Sequence, residues 1–341
     1  MNESCEPSPA DPRRTPVDWR RFVALVQTHR RFLVTTHIRP DGDAVGSTLA
    51  MAAILQEAGK EVRVMGAFEL PPSLRFLDPE GKIERLAGDP AIDRLDRVEV
   101  LLILDTCAWA QLGPMAEVVR TTRARKAVLD HHLSSDDLGA EVFKDTAAEA
   151  TGRLVFDAAE QLGVAITARI AQPLFAALAT DTGWFRFAST SADTYRLASR
   201  LVQCGALPHR LYRDLYENDS LGRLRLIGRA VGRAETELAG RLIYTWLGRD
   251  DFAAAAALPS DSEDIINMTL SVSGTEVAVI LVEQPQGGFK ISFRSRCDLD
   301  CSRLAEQFGG GGHRAAAGAY LAGTLADVRP RVLDAVRAAM Q

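Results

Sequence analysis

Cysteine is scarce and irregular in this 341-residue chain: Cys5, Cys107, Cys204, Cys297 and Cys301 are odd in number and scattered. That excludes a disulfide framework and points to reduced thiols in a cytoplasmic protein. Cys297 and Cys301 lie four apart, but no second cysteine or histidine pair completes a structural zinc site with them. No apolar run approaches the roughly 20 residues that span a bilayer. Positive charge is not in excess either: 40 Lys and Arg stand against 45 Asp and Glu. A protein that coats long nucleic acid is thereby excluded, because phosphate contacts need clustered Lys and Arg. A small anionic substrate held by a few placed arginines stays open. Internal repeats and long low-complexity tracts are missing as well. Residues 1–17 are polar and proline-bearing, without the layout of a signal or transit peptide, and are expected to be a disordered leader.

What is present is an ordinary globular composition, 47% hydrophobic and 25% charged, long enough for two cores. The chain repeats a strand, loop, helix rhythm that predicts an α/β domain with a parallel sheet over 18–200. Phe32 to Thr36 reads as a strand ending at His37, and a helix is expected from Ala44 to Ala58. Val100 to Leu104 is the unbroken apolar run of a strand buried on both faces, with Asp105 at its end. Ala127 to Leu129 is a short strand ending at Asp130. Gln172 to Thr180 reads as a helix running into Asp181. A charged helical stretch from Leu197 to Arg233 is expected to link the domains over 201–237. A smaller α+β domain follows over 238–341, with strands at Arg241–Leu247, Glu276–Val282 and Gly288–Phe293, and a helix from Cys301 to Phe308.

Polar residues that follow strands in an open parallel sheet converge on one edge, where ligands bind. Here they are His37, Asp41, Asp43, Asp105, Asp130, His131 and His132, joined by Asp181 at the end of its helix. A mixed imidazole and carboxylate set without thiolate suits a hard or borderline divalent ion such as Mn²⁺. His37 and Asp41, four apart in one loop, can reach one ion, and Asp43 can face another. Asp105 is the natural bridge, with His131 and Asp181 completing the second ion. Such a pair activates water and clamps a phosphoryl oxygen for in-line attack on phosphorus. Taken singly, each aspartate reads equally well as a helix cap or turn residue; the joint occurrence carries the metal reading. The run Gly309 to Gly312 before His313 and Arg314 lets backbone N–H groups approach an anion, a flexible linker being the bland alternative. Arg294 and Arg296 offer bidentate phosphate contacts or are simply solvated.

These residues resemble a known family. His37-Ile-Arg-Pro-Asp41-Gly-Asp43-Ala-Val-Gly46-Ser47, Asp105, Asp130-His131-His132 and Thr180-Asp181-Thr-Gly183 are similar to the four motifs of DHH phosphoesterases. Ser292-Phe-Arg294-Ser-Arg296 and Gly309-Gly-Gly-Gly-His313-Arg-Ala-Ala-Ala-Gly318 resemble the substrate-binding DHHA1 module. The resemblance implies a DHH catalytic domain, a helical link and a DHHA1 domain, with the active site in the cleft between the two domains. It implies that His37, Asp41 and Asp105 hold one metal, and Asp43, Asp105, His131 and Asp181 the other. The ions would be two Mn²⁺, with Mg²⁺ or Co²⁺ as alternatives. It assigns catalytic roles to Asp105 and Asp130-His131-His132, with His132 on the scissile phosphate and Asp130 orienting the histidines. Arg294 and His313, with Gly311, Gly312 and Arg314, would hold a terminal phosphate of the substrate.

Within the family, the compact two-domain layout is similar to the NrnA-like group. That implies hydrolysis of short oligoribonucleotides such as pApA to nucleoside monophosphates, or of 3′-phosphoadenosine 5′-phosphate to AMP. The alternatives are a cyclic-di-AMP phosphodiesterase, a RecJ-like single-strand exonuclease, which would need a longer chain, and a non-catalytic nucleotide sensor. Expected partners are short RNA or small nucleotides, with no stable complex on long nucleic acid, no membrane, and dimerisation implied by the resemblance alone.

Overall fold

The computed structural model describes residues 16–86, 95, 97–133 and 135–341. The expected leader falls almost wholly outside the described residues, as does Cys5. The other four cysteines are unpaired. The chain divides after Asn218 into two compact units, a point inside the 201–237 stretch expected to link them. No helix among the described residues is long and apolar enough to cross a membrane.

The first unit is built on a parallel sheet of six strands among the described residues: β1 (Arg31–Thr35), β2 (Glu61–Gly66), β3 (Ile83–Arg85), β4 (Val100–Leu104), β5 (Arg125–Asp130) and β6 (Glu141–Lys144). Their order is β3-β2-β1-β4-β5-β6. The period of two explains why β4 is apolar throughout. Val100, Leu102 and Leu104 enter the core on one face, while Leu101 and Ile103 enter the core on the other. Helices Gly42–Glu57, Thr151–Leu162 and Ala168–Asp181 cover the first face. Met115–Thr121 packs on the second.

One close approach sets the spacing of this helical layer. A Cβ on Gly46 would lie 2.3 Å from the carbonyl oxygen of Pro173 and 3.0 Å from the Ala177 Cβ. Helices Gly42–Glu57 and Ala168–Asp181 therefore touch backbone to backbone where Asp43 and Asp181 must meet. The strand order also fixes where a ligand can sit. From β1 the sheet runs one way through β2 and β3, and from β4 the other way through β5 and β6. The crevice beyond the carboxyl ends of β1 and β4 is the switch point, the position where open α/β sheets bind ligands.

The second unit has a mixed sheet, ordered β11-β12-β10-β9-β8-β7, from β7 (Glu235–Glu237), β8 (Leu242–Leu247), β9 (Val277–Glu283), β10 (Phe289–Ser295), β11 (Gly311–His313) and β12 (Ala316–Leu321). β8 and β9 pair parallel; the other neighbours are antiparallel. Helices Cys301–Glu306 and Leu325–Ala339 cover one face, and Leu221–Gly232 with Ile265–Leu270 the other.

The structure refines three expectations. The helical stretch 197–233 is made of three helices, Ala192–Gln203, Pro208–Tyr216 and Leu221–Gly232. Pro208 opens the second, and the Ser220 side chain caps the third through the Arg223 N–H. Asp181 is the last residue of its helix, not a residue beyond it. The glycine run is neither linker nor open loop: Gly311–His313 is an edge strand paired with β12. A Cβ on Gly310 would come within 2.1 Å of the Gly318 carbonyl oxygen, and one on Gly312 within 2.6 Å of that of Ala316.

Candidate metal centre

His37 and Asp105 stand at the two lips of the switch point, just beyond β1 and at the end of β4. Asp41 caps the helix that follows β1, its Oδ1 accepting from the Ala44 N–H at 3.0 Å. That fixes the turn and carries Asp43 into the first helical turn, where it is buried. Its Oδ1 accepts from the Ser47 hydroxyl at 2.8 Å and the Gly152 N–H at 2.9 Å, and its Oδ2 from the Thr151 N–H at 2.7 Å. The N-terminus of helix Thr151–Leu162 thus holds one carboxylate of the group, as helix N-termini hold anions. Asp105 has φ 61°, the left-handed region, which Asp enters more readily than most residues. Its N–H donates to the Leu129 carbonyl at 3.0 Å, and its Oδ1 accepts from the Thr151 hydroxyl at 2.9 Å.

Around Asp105 the imidazoles converge. His37 Nε2 is 3.4 Å from Asp105 Oδ2, and His131 Nε2 is 3.7 Å from Asp105 Oδ1. The two oxygens of one carboxylate face two different histidines, the arrangement a bridging ligand requires. His131 Nε2 is also 3.8 Å from Asp43 Oδ2 and 3.6 Å from Asp181 Oδ2. The other ring nitrogen, Nδ1, is 3.1 Å from the Ala148 carbonyl oxygen. Donation there leaves Nε2 as the free lone pair, the tautomer of a metal-binding histidine. Ligand atoms of His37, Asp41 and Asp105 lie within 4.8 Å of one another, and so do those of Asp43, His131 and Asp181. The structure therefore brings together all six residues expected to hold metal.

The electrostatics fit a cation. Burial pushes the carboxyls of Asp43, Asp105 and Asp181 above the usual range. Asp105 adds to this at Asp43, and Asp41 adds to it at Asp105 and Asp181. Burial also lowers the His37 pKa, favouring the neutral ring that ligates. Carboxylates that repel one another at this range ionise together only around a positive ion.

His132 differs from its neighbour. Its Nδ1 is 2.8 Å from Asp130 Oδ1, and this hydrogen bond raises its pKa to about 9. Burial alone would raise Asp130, but the hydrogen bonds from His132 and the charge of Lys144 outweigh it and hold Asp130 low. Lys144 Nζ lies 3.1 Å from Asp130 Oδ2. Sequence reasoning missed Thr151, Gly152, Lys144 and the Ala148 carbonyl, and gave Ser47 no role beyond its place in the first motif. Only Ser47, four residues after Asp43 on a helix, carried a local signal.

The remaining expected residues lie in the second unit. Arg294 on β10 and His313 on β11 are both register partners of Ala316 on the intervening β12. Residues in register share a face, so a small side chain separates the two basic ones. Arg294 donates to the Phe293 carbonyl at 3.0 Å, and Arg314 pairs with Asp298 at 3.0 Å. Gly311 and Gly312 are pairing residues of β11.

The family model described as "DHH family, N-terminal domain" matches residues 31–179, and the "DHHA1 domain" model matches 243–341. The chain is 33% identical over 305 residues to the bifunctional oligoribonuclease and PAP phosphatase NrnA of Thermus thermophilus, covering 89% of this chain and 88% of that one. The corresponding Bacillus subtilis protein is 23% identical, with 88% and 92% covered. The crystal structure of an exopolyphosphatase-related protein from Bacteroides fragilis superposes with a TM-score of 0.84 at 26% identity, covering 94% of each chain.

Proposed function

From the premise that this chain belongs to the DHH family and carries a DHHA1 domain, we propose that it hydrolyses short oligoribonucleotides, and 3′-phosphoadenosine 5′-phosphate, to nucleoside monophosphates. As a phosphoric ester hydrolase it acts on substrates of the class its Thermus relative is named for. Two divalent ions, Mn²⁺ by the hardness of the donor set, are the proposed cofactors. His37, Asp41 and Asp105 would hold one, and Asp43, Asp105, His131 and Asp181 the other. The observation that carries the reading is Asp105, with one oxygen toward His37 and the other toward His131. Bound there, the metals would lower the pKa of a water and neutralise phosphoryl oxygens.

The chain's own residues supply the rest of the mechanism. Thr151 and the N-terminus of its helix keep Asp105 and Asp43 aimed inward. Asp130, braced by Lys144, holds His132 as an imidazolium. In this reading that ring would donate to a phosphate oxygen and then protonate the departing alkoxide. Arg294 and His313 are proposed to receive the substrate's terminal phosphate.

Turnover of pApA by the purified protein tests this, with Mn²⁺, with EDTA, and with a long single strand as competitor. AMP release that needs metal and ignores the long strand is expected. Degradation of the long strand with pApA untouched would move the assignment to an exonuclease of the RecJ kind. Nucleotide binding without any product would make the protein a sensor.

A further inference from the structure

Immediately beyond Asp181 the backbone does something costly. Gly183, Trp184 and Phe185 all have positive φ, at 56°, 58° and 63°, and two of the three carry bulky side chains for which that region is strained. The strain is held by aromatic packing. Trp184 packs edge-on against Phe175, Tyr212 and Tyr216, with ring centroids 6.1, 5.0 and 5.7 Å away. Phe185 packs against Phe175 and stacks on Tyr195 at 5.5 Å. The next aromatic in the same segment, Phe187, is treated differently.

Phe187 is 54% exposed. The turn folds it back: its N–H donates to the Thr182 carbonyl at 3.0 Å, and its ring lies on Gly183. A Cβ on Gly183 would sit 2.4 Å from the ring's Cζ, so any side chain there would displace the ring from this seat. Arg186 fastens the same turn, its Nε donating to the Gly183 carbonyl at 2.7 Å. The result is a flat apolar ring, open on its solvent side, resting on a residue two positions from Asp181. Covalent geometry keeps those two Cα atoms within about 7 Å.

Isolated exposed apolar residues are common and need no explanation. Phe187 differs because a strained, aromatic-locked turn seats its ring on Gly183, two residues from Asp181. We propose that Phe187 is the stacking platform for a nucleobase of the substrate, supplying sequence-tolerant affinity through the π face that every base has. The proposal rests on the nucleotide hydrolase reading above and deepens it: the first unit would grip the base as well as the phosphorus.

The test compares the wild type with Phe187→Ala and Phe187→Trp on pApA and on the fully abasic analogue of the same dinucleotide. Because the side chain is exposed, the variants should fold, and thermal unfolding checks that they do. Phe187→Ala should raise KM for pApA about five- to a hundred-fold, the range of one base-stacking contact, with kcat near wild type. Phe187→Trp should restore KM. On the abasic analogue all three proteins should behave alike. An unchanged KM in Phe187→Ala, or an equal loss on the abasic analogue, overturns the platform while leaving the hydrolase reading intact. A wild type that is inert on both substrates removes the reading and the platform together.

Discussion

Gly46→Ala isolates the link between helix packing and the metal centre. The added methyl would sit 2.3 Å from the Pro173 carbonyl oxygen and 3.0 Å from the Ala177 Cβ. Relief requires helices Gly42–Glu57 and Ala168–Asp181 to part by about 1 Å, judged against an ordinary contact of about 3.5 Å. Overpacking on that scale costs about 1–3 kcal/mol. In a unit of this size that lowers Tm by about 2–12 °C. Those two helices carry Asp43 and Asp181, which meet through His131 at 3.8 and 3.6 Å. A displacement of about 1 Å there should cost about 100-fold in turnover, far more than the stability loss implies for a protein still folded at 25 °C. Thermal unfolding and initial rates with Mn²⁺, run on the same preparation, check both numbers. A lower Tm with turnover intact would show that helix spacing does not position the site. Wild-type values for both would show that the helices do not approach this closely.

Other perturbations address other parts of the site. His132 is raised to about 9 by Asp130, so its imidazolium persists below that pH and is lost as pH rises through it. The basic limb of the rate profile should fall near 9 and move toward 6.5 in Asp130→Asn; a limb that stays put would mean another group sets it. Thr151→Val strips a donor from buried Asp105 and should cost about 1–3 kcal/mol with weaker Mn²⁺ binding by calorimetry, whereas Thr151→Ser should bind as wild type. Lys144→Met removes one of the two cations on buried Asp130, leaving His132, and should cost about 1–3 kcal/mol in denaturant unfolding, the usual loss of a hydrogen bond to a charged group. Gly228→Ala, on helix Leu221–Gly232 with nothing within 4 Å of the new methyl, should stabilise the second unit by about 0.5–1 kcal/mol.

The parts of this protein that could be read from sequence are those whose physics is local. β4 was legible because a parallel strand buried on both faces is apolar without interruption from Val100 to Leu104. The convergence of six candidate metal-holding residues was legible because each follows a strand or ends a helix within a short polar motif. β3 and β6 were not, being short, half-exposed edge strands with charged residues in them. β11 was hidden because glycine is depleted in strands and is present here for backbone contact across a hairpin. Thr151 and Lys144 gave no signal, since their partners Asp105 and Asp130 lie 46 and 14 positions away. The Phe187 seat depends on three consecutive left-handed residues, two of them aromatic, which no propensity anticipates.

The backbone of Asp105 has a consequence for how this enzyme could be lost. At φ 61° the position suits glycine or asparagine at least as well as aspartate. The carboxylate itself is buried against other acids that oppose its charge. Asp105→Asn or Asp105→Gly should therefore melt at or above the wild-type temperature when metal is absent, while turning over nothing. Selection for stability alone would favour such a change, as it does at many strained active sites. If that expectation holds, a folded, abundant and inert descendant of this protein lies one substitution away, and folding quality control would have no means of detecting it.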